Sequence, residues 1–248
     1  MSRRVRFGRC GSTNDEAKRL AQSGAPAGTV VWAESQEGGR GRRGRTWVSP
    51  PGNLYCSLII RPGCAAATVA QLSFVTALAV GDTLCAFIQE PSTVRFKWPN
   101  DVLLNERKVC GILLEADAPA RCTALDWVVV GVGINLKHYP AQTEFPATAL
   151  SVEVGQVPEV EAVLEAFLRH FQVWFDRWQG QGFDPIRATW LAGALGVGER
   201  ISVRLHTQSL SGRFCSLDHD GTLILDQDGG GRQRIAAGDV FFAPMSGV

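Results

Sequence analysis

The run Val128-Val129-Val130-Gly131-Val132-Gly133-Ile134-Asn135 constrains this chain's fold more than any other segment. Side chains alternate between the two faces of a strand. Val128, Val130, Val132 and Ile134 therefore share one face, which a core must cover. Gly131, Gly133 and Asn135 share the other. That second face is bare backbone ending in an amide, either a floor for a ligand or a tight crossing of chain segments. G-x-G-x-x-G is absent, so the run is not a dinucleotide fingerprint.

The surrounding pattern predicts an α+β domain. Ser12 or Thr13 caps a short helix whose apolar face is Ala17, Leu20 and Ala21. Strands are predicted over 29–33, 53–61, 94–98 and 125–135. Residues 101–104 and 108–116 read as a hairpin around Asn105-Glu106-Arg107. Apolar spacing predicts helices over 65–88, 160–178 and 185–194. At Gly196 the character changes to short strands over 200–205, 211–217, 222–226 and 232–236, the pattern of a small β-barrel. The expected organisation is a large domain over 1–195, with a mixed, largely antiparallel sheet flanked by helices, and a small β-barrel over 196–248.

The apolar stretch 65–88 is broken by Gln71, Ser73, Thr76, Gly81 and Asp82, so it reads as a core helix rather than a membrane span. Net charge is +1, which argues against a surface built for nucleic acid. Seven cysteines (10, 56, 64, 85, 110, 122 and 215) form no C-x-x-C and no Cys/His cluster. Reduced thiols in a cytoplasmic protein are expected, with no zinc site. No apolar segment follows Arg3, Arg4, Arg6 and Arg9, so a signal peptide is not expected.

Two further segments carry candidate chemistry. Within the loop predicted over 35–53, Gly38-Gly39-Arg40-Gly41-Arg42-Arg43-Gly44-Arg45 combines glycines, which let backbone approach a ligand, with forked guanidinium donors. Trp47 follows as a stacking surface. Lys97-Trp98-Pro99-Asn100-Asp101 places a lysine at the end of a strand that Pro99 terminates. Only four of the 25 basic residues are lysines (18, 97, 108 and 137), so Lys97 and Lys108 stand out. Together the segments fit activation of a carboxylate by ATP. That reaction joins two anions, and fixed cations such as Arg42 and Lys97 must offset their repulsion. A loop closing over the acyl-adenylate would exclude water.

Ser12-Thr13-Asn14, the Gly39–Arg45 run with Trp47, Lys97-Trp98-Pro99-Asn100-Asp101, Gly111-Ile112-Leu113-Leu114-Glu115 and Gly131-Val132-Gly133-Ile134-Asn135 resemble, in order and spacing, the biotin–protein ligase family. The resemblance spans nearly the whole chain. It implies a class II synthetase-like catalytic fold, with the C-terminal β-barrel of SH3-like type. It also implies a two-step reaction. Biotin and MgATP give biotinyl-5′-AMP, and a lysine of a biotin carboxyl carrier domain then takes the biotinyl group. By position, Ser12, Thr13 and Gln36 resemble residues that hold the biotin ureido group, and Arg40 and Gly41 the loop over biotin. Asn14, Gly39, Gly111 and Gly131 complete the implied biotin side. Arg42 and Lys97 resemble the catalytic groups bridging carboxylate and α-phosphate. Arg45, Trp47, Asn100, Lys108 and Asn135 resemble the nucleotide side. The Ser-Thr-Asn motif begins at residue 12, so the resemblance is to the monofunctional class without a DNA-binding segment. It implies no DNA or membrane partner, allows a homodimer, and calls for no metal site on the protein. The rival readings are a lipoate–protein ligase-like acyltransferase and a nucleic-acid-binding protein using the basic loop.

Overall fold

The computed structural model describes residues 3–88, 94–116 and 125–242. Cys122 lies outside them.

The Val/Gly run forms β7 (Val128–Ile134), the middle strand of a seven-stranded sheet. The other strands are β1 (Arg4–Cys10), β2 (Val30–Gln36), β3 (Leu54–Ile60), β4 (Val94–Lys97), β5 (Asp101–Leu104) and β6 (Arg107–Glu115), in the spatial order β1-β2-β3-β7-β6-β5-β4. All neighbours are antiparallel except β1 and β2. The parity read from the sequence holds. Val128, Val130, Val132 and Ile134 join the main core with Leu54, Cys56, Leu58 and Ile60 of β3. Val129 faces the opposite way and packs with Val31 and Ile59 against Ala17, Ala21 and Ala25.

That smaller cluster is covered by α1 (Thr13–Gln22). Ser12 is its N-cap residue, with extended backbone, but its hydroxyl makes no capping bond. The main core is closed by α3 (Leu72–Cys85) and α4 (Val160–Gln181), with α5 (Asp184–Ala192) beside them. The single helix expected over 65–88 is in fact two, α2 (Ala66–Val69) and α3, broken at Ala70-Gln71. The break leaves the Gln71 Oε1 to accept the Trp178 indole N–H at 2.8 Å. The polar residues of α3 find partners within the helix and beyond it. The Thr76 and Thr83 hydroxyls donate to carbonyls four residues back, and Asp82 accepts from Trp174 at 2.6 Å.

Strand β1 was not anticipated, because arginines alternate with its apolar residues. Val5 and Phe7 pack with the α1 cluster, while Arg4 and Arg6 pair with Glu165 and Glu161 of α4. The hairpin turns at Asn105 and Glu106, both at positive φ (48° and 59°), a two-residue turn whose twist matches the flanking strands.

The C-terminal region is a five-stranded antiparallel sheet of β8 (Arg200–Arg204), β9 (Ser209–Leu217), β10 (Leu223–Gln227), β11 (Arg232–Ile235) and β12 (Asp239–Phe242), ordered β11-β10-β9-β8-β12. Strand β12 was also unforeseen. The two sheets meet where the Trp98 indole donates to the Gly221 carbonyl at 3.0 Å.

Asn53, 1% exposed, holds the chain leaving β7. Its Oδ1 accepts from the backbone N–H of Leu136, Lys137 and His138 at 2.9–3.0 Å, and its Nδ2 donates to the His138 carbonyl. Asn53→Ala strands three donors and is expected to cost about 2–4 kcal/mol, read as a lower denaturant midpoint at unchanged slope.

Candidate active site

The glycine face of β7 is the floor of a cavity of about 350 Å³. A floor of glycines lets other groups sit directly on backbone. Gly131 carries the Asn14 amide, which a Cβ there would overlap, while Gly133 and its register partner Gly111 lie beneath the Trp47 indole. A Cβ at Gly133 would come within 2.6 Å of that ring. The floor is therefore furnished by the chain itself. Trp47 keeps its indole N–H buried without a hydrogen-bond partner.

At one end, the start of α1 is held by a polar chain. Gln36 Oε1 accepts from the Thr13 N–H (2.9 Å) and hydroxyl (3.1 Å), and its Nε2 donates to Ser49. Ser57 donates to Asn14 Oδ1 at 2.6 Å, and Asn14 Nδ2 donates to Glu115 at 2.6 Å. Glu115 also meets Lys18, and Asp15 receives Lys18 and both Arg40 terminal nitrogens at 2.7 Å. The hydrogen bonds from Arg40 hold the Asp15 carboxyl well below the usual carboxylate range.

The arginine loop is tied along its length. Gly38 N–H donates to Gly11, Gly41 to Arg45 and Trp47 to Gly39. Its tip is a short 3₁₀ turn, Arg42–Gly44, in which Arg43 takes the left-handed region at φ 55°. Arg42 turns inward and donates to Asn100 Oδ1 at 3.2 Å; burial lowers its pKa from the ordinary value.

Lys97 is 6% exposed. Its ammonium sits 3.7 Å from the Phe145 ring centroid and 5.7 Å from that of Phe241. Burial pushes its pKa down to about 8, against the pull of Asp101 and Asp239. Lys108 pairs with Asp101 at 2.6 Å, with its ammonium 5.4 Å from the Trp47 ring. Asn135 is buried, its Nδ2 donating to the Thr148 carbonyl.

Ser12, Thr13, Asn14, Gln36, Arg40, Gly41, Arg42, Arg45, Trp47, Lys97, Asn100, Lys108, Gly111, Gly131 and Asn135 all line this one cavity. Gly39 does not. It lies behind the loop, where a Cβ would collide with the Trp47 carbonyl and Ser49 Oγ, so it serves the loop's packing. The sequence reading missed the wall formed by Glu144 and Phe145 and the one formed by Asp239 and Phe241 of β12. Neither carried a motif. Burial pushes the Asp239 carboxyl up, but the hydrogen bond from Arg45 and the charges of Arg43 and Arg42 outweigh it and hold it below the ordinary range. Among the described residues no group of three His, Cys, Asp or Glu side chains is placed to hold a metal, and no helix is long and apolar enough to cross a membrane.

The Biotin/lipoate A/B protein ligase family matches residues 7–135, and the Biotin protein ligase C terminal domain matches residues 196–243. A biotin--[acetyl-CoA-carboxylase] ligase of Paracoccus denitrificans is 43% identical over 246 residues, covering 94% of this chain and 98% of that protein. A ligase of the same description from Mycobacterium tuberculosis is 33% identical, covering 93% and 85%. Among solved structures, the biotin protein ligase of Aquifex aeolicus in complex with biotin and ATP aligns at TM-score 0.81 with 26% identity, over 97% of this chain and 98% of that one.

Proposed function

This chain belongs to the biotin/lipoate A/B protein ligase family, and from that premise we propose that it activates biotin with ATP and passes the biotinyl group to a lysine of a carboxylase's biotin carrier domain. The observation that carries the residue assignments is the convergence of Lys97, Arg42 and the Thr13–Gln36 pair on one cavity.

In the first step a biotin carboxylate oxygen attacks the α-phosphorus of ATP, the bond to the β-phosphate bridging oxygen breaks, and pyrophosphate leaves. Arg42 and Lys97 hold the two anions together, and their burial strengthens that attraction. Ser12, Thr13 and Gln36 present hydroxyl and amide groups to the ureido ring, with Asn14 and Gly131 as its floor and Arg40 and Gly41 above. Gly111 extends the biotin floor, and Trp47, Asn100, Lys108, Arg45 and Asn135 take the nucleotide side. The ATP phosphates would carry a magnesium ion, whose charge would offset that of the leaving pyrophosphate. In the second step the carrier lysine's nitrogen attacks the acyl carbon, the bond to the phosphate oxygen breaks, AMP leaves with the electron pair, and the amine releases a proton.

Several features favour this reading over its rivals. Lipoate ligation does not call for this arginine loop beside Lys97-Trp98-Pro99-Asn100-Asp101. A nucleic-acid role for the loop is disfavoured because Arg40, Arg43 and Arg45 are already paired with Asp15 and Asp239. The cytoplasm suits the reaction, since it supplies ATP and keeps the described cysteines as reduced thiols. The test is incubation with biotin, MgATP and a candidate carrier domain, followed by the carrier's intact mass. One added biotinyl group is expected. Lipoylation in preference to biotinylation would overturn the assignment.

A pH dependence follows from Lys97. With a pKa near 8 in the empty site, Lys97 is largely neutral above that pH. Two bound anions favour the charged form, so binding at pH 8.5 takes up a proton, and affinity falls as pH rises past 8. Calorimetry in buffers of different ionisation enthalpy should show an uptake of up to about three quarters of a proton at pH 8.5, absent in Lys97→Arg.

A further inference from the structure

We propose that Gly238-Asp239, at the start of β12, is a positioning element for biotin adenylation, anchoring three arginines of the loop although it belongs to the C-terminal sheet. The inference rests on the proposed ligase activity for its kinetic readout.

The three contacts are separate. Arg42 approaches the Gly238 carbonyl at 3.5 Å. Arg43 reaches Asp239 Oδ2 at 3.1 Å, and Arg45 grips both carboxylate oxygens at 3.2 and 2.5 Å. Arg204 of β8 stands 3.6 Å away on the outer side and also pairs with Glu144, which itself lies 3.9 Å from Arg45. Asp239 is thus held by its own sheet and by the loop at once, with its side chain only 12% exposed. Gly238 is fixed in turn, because a Cβ there would meet Val203 at 2.7 Å.

A second observation, from the backbone, points the same way. Arg43 is a non-glycine residue in the left-handed region, which persists only where the surroundings over-determine it. The Arg43–Asp239 pair is a contact that does so. Closing the turn at Arg43-Gly44 aims Arg42, the next residue back, into the cavity towards Asn100. Asp239 touches no reacting atom in this scheme. It sets where Arg42 and Arg45 stand, and small misplacements of such groups are costly to rate.

The test compares Asp239→Asn, Asp239→Glu, Arg45→Met and the pair Asp239→Asn/Arg45→Met with wild type, in single-turnover formation of biotinyl-5′-AMP and in limited trypsin cleavage after Arg42, Arg43 and, where present, Arg45. Asp239→Asn is expected to lower the adenylation rate about 10- to 100-fold with little change in biotin KM, and to speed loop cleavage severalfold in the ligand-free protein. Asp239→Glu should restore most of both. The double variant should be no slower than the worse single, because both changes break one unit. Wild-type adenylation or unchanged cleavage in Asp239→Asn, no rescue by Asp239→Glu, or effects that multiply would each overturn the proposal. Absence of adenylate in the wild type would instead remove the ligase reading, with the cleavage result still deciding whether Asp239 anchors the loop.

Discussion

Lys97→Met is expected to lower biotin adenylation by roughly 10³-fold while making the empty protein more stable. Both effects come from one fact, a cation held 6% exposed. In the unfolded chain the ammonium titrates near its ordinary 10.5; in the folded site burial brings it to about 8. Keeping it charged therefore costs free energy, fully so below pH 8. Between pH 8 and 10.5 the unfolded state binds more protons than the folded one, so wild-type stability rises through that window as the cost disappears. Methionine fills similar volume without the charge. The gain at pH 7 is expected to be ~1–3 kcal/mol, shrinking towards pH 10.5. Thermal melts at pH 7 and 10 and a pyrophosphate-release assay check the pair. Adenylation within tenfold of wild type would remove Lys97 from the reaction, and a lower melting point at pH 7 would contradict its burial as a source of instability.

The second large effect is expected at Gly131, where alanine should raise biotin KM about 100-fold and leave ATP KM within a few-fold. The added methyl would overlap the Asn14 amide. Asn14 cannot simply turn aside, since Ser57 and Glu115 hold its two ends at 2.6 Å. The start of α1 must move instead, taking Ser12 and Thr13 out of line with Gln36. Overpacking of this kind costs ~1–3 kcal/mol of stability as well. Steady-state kinetics with each substrate varied separately distinguishes this from general damage, which would raise both KM values.

Much of the site was legible because its residues report on themselves. The two-residue period of Val128–Asn135 fixed which side of β7 would be core and which would be floor, and Pro99 marked the strand end that holds Lys97. What escaped the sequence was what comes from far along the chain. Nothing near Gly111 or Gly133 says that Trp47 will lie on both. Phe145 and Asp239 sit in unremarkable local sequence, and they matter because folding brings them against Lys97 and the arginine loop. Strand β1 was hidden for a different reason. Its arginines have partners on α4, so residues that read as a basic terminus are the polar half of an alternating edge strand.

The salt bridges of Lys18 and Lys108 bear on how the chain survives its own product. Biotinyl-5′-AMP is a mixed anhydride that acylates neutral amines without regard to which protein carries them. Between Asp15 and Glu115 the Lys18 ammonium is held above its ordinary pKa, which makes it a poorer nucleophile. Of the four lysines, Lys18 lies between Asp15 and Glu115 and Lys108 is ion-paired with Asp101, while Lys97 faces the cavity itself beneath Phe145. Only Lys137 stands in the open. Writing nearly all of its positive charge as arginine leaves the molecule a poor target for the reagent it makes, so that the carrier's lysine has few competitors.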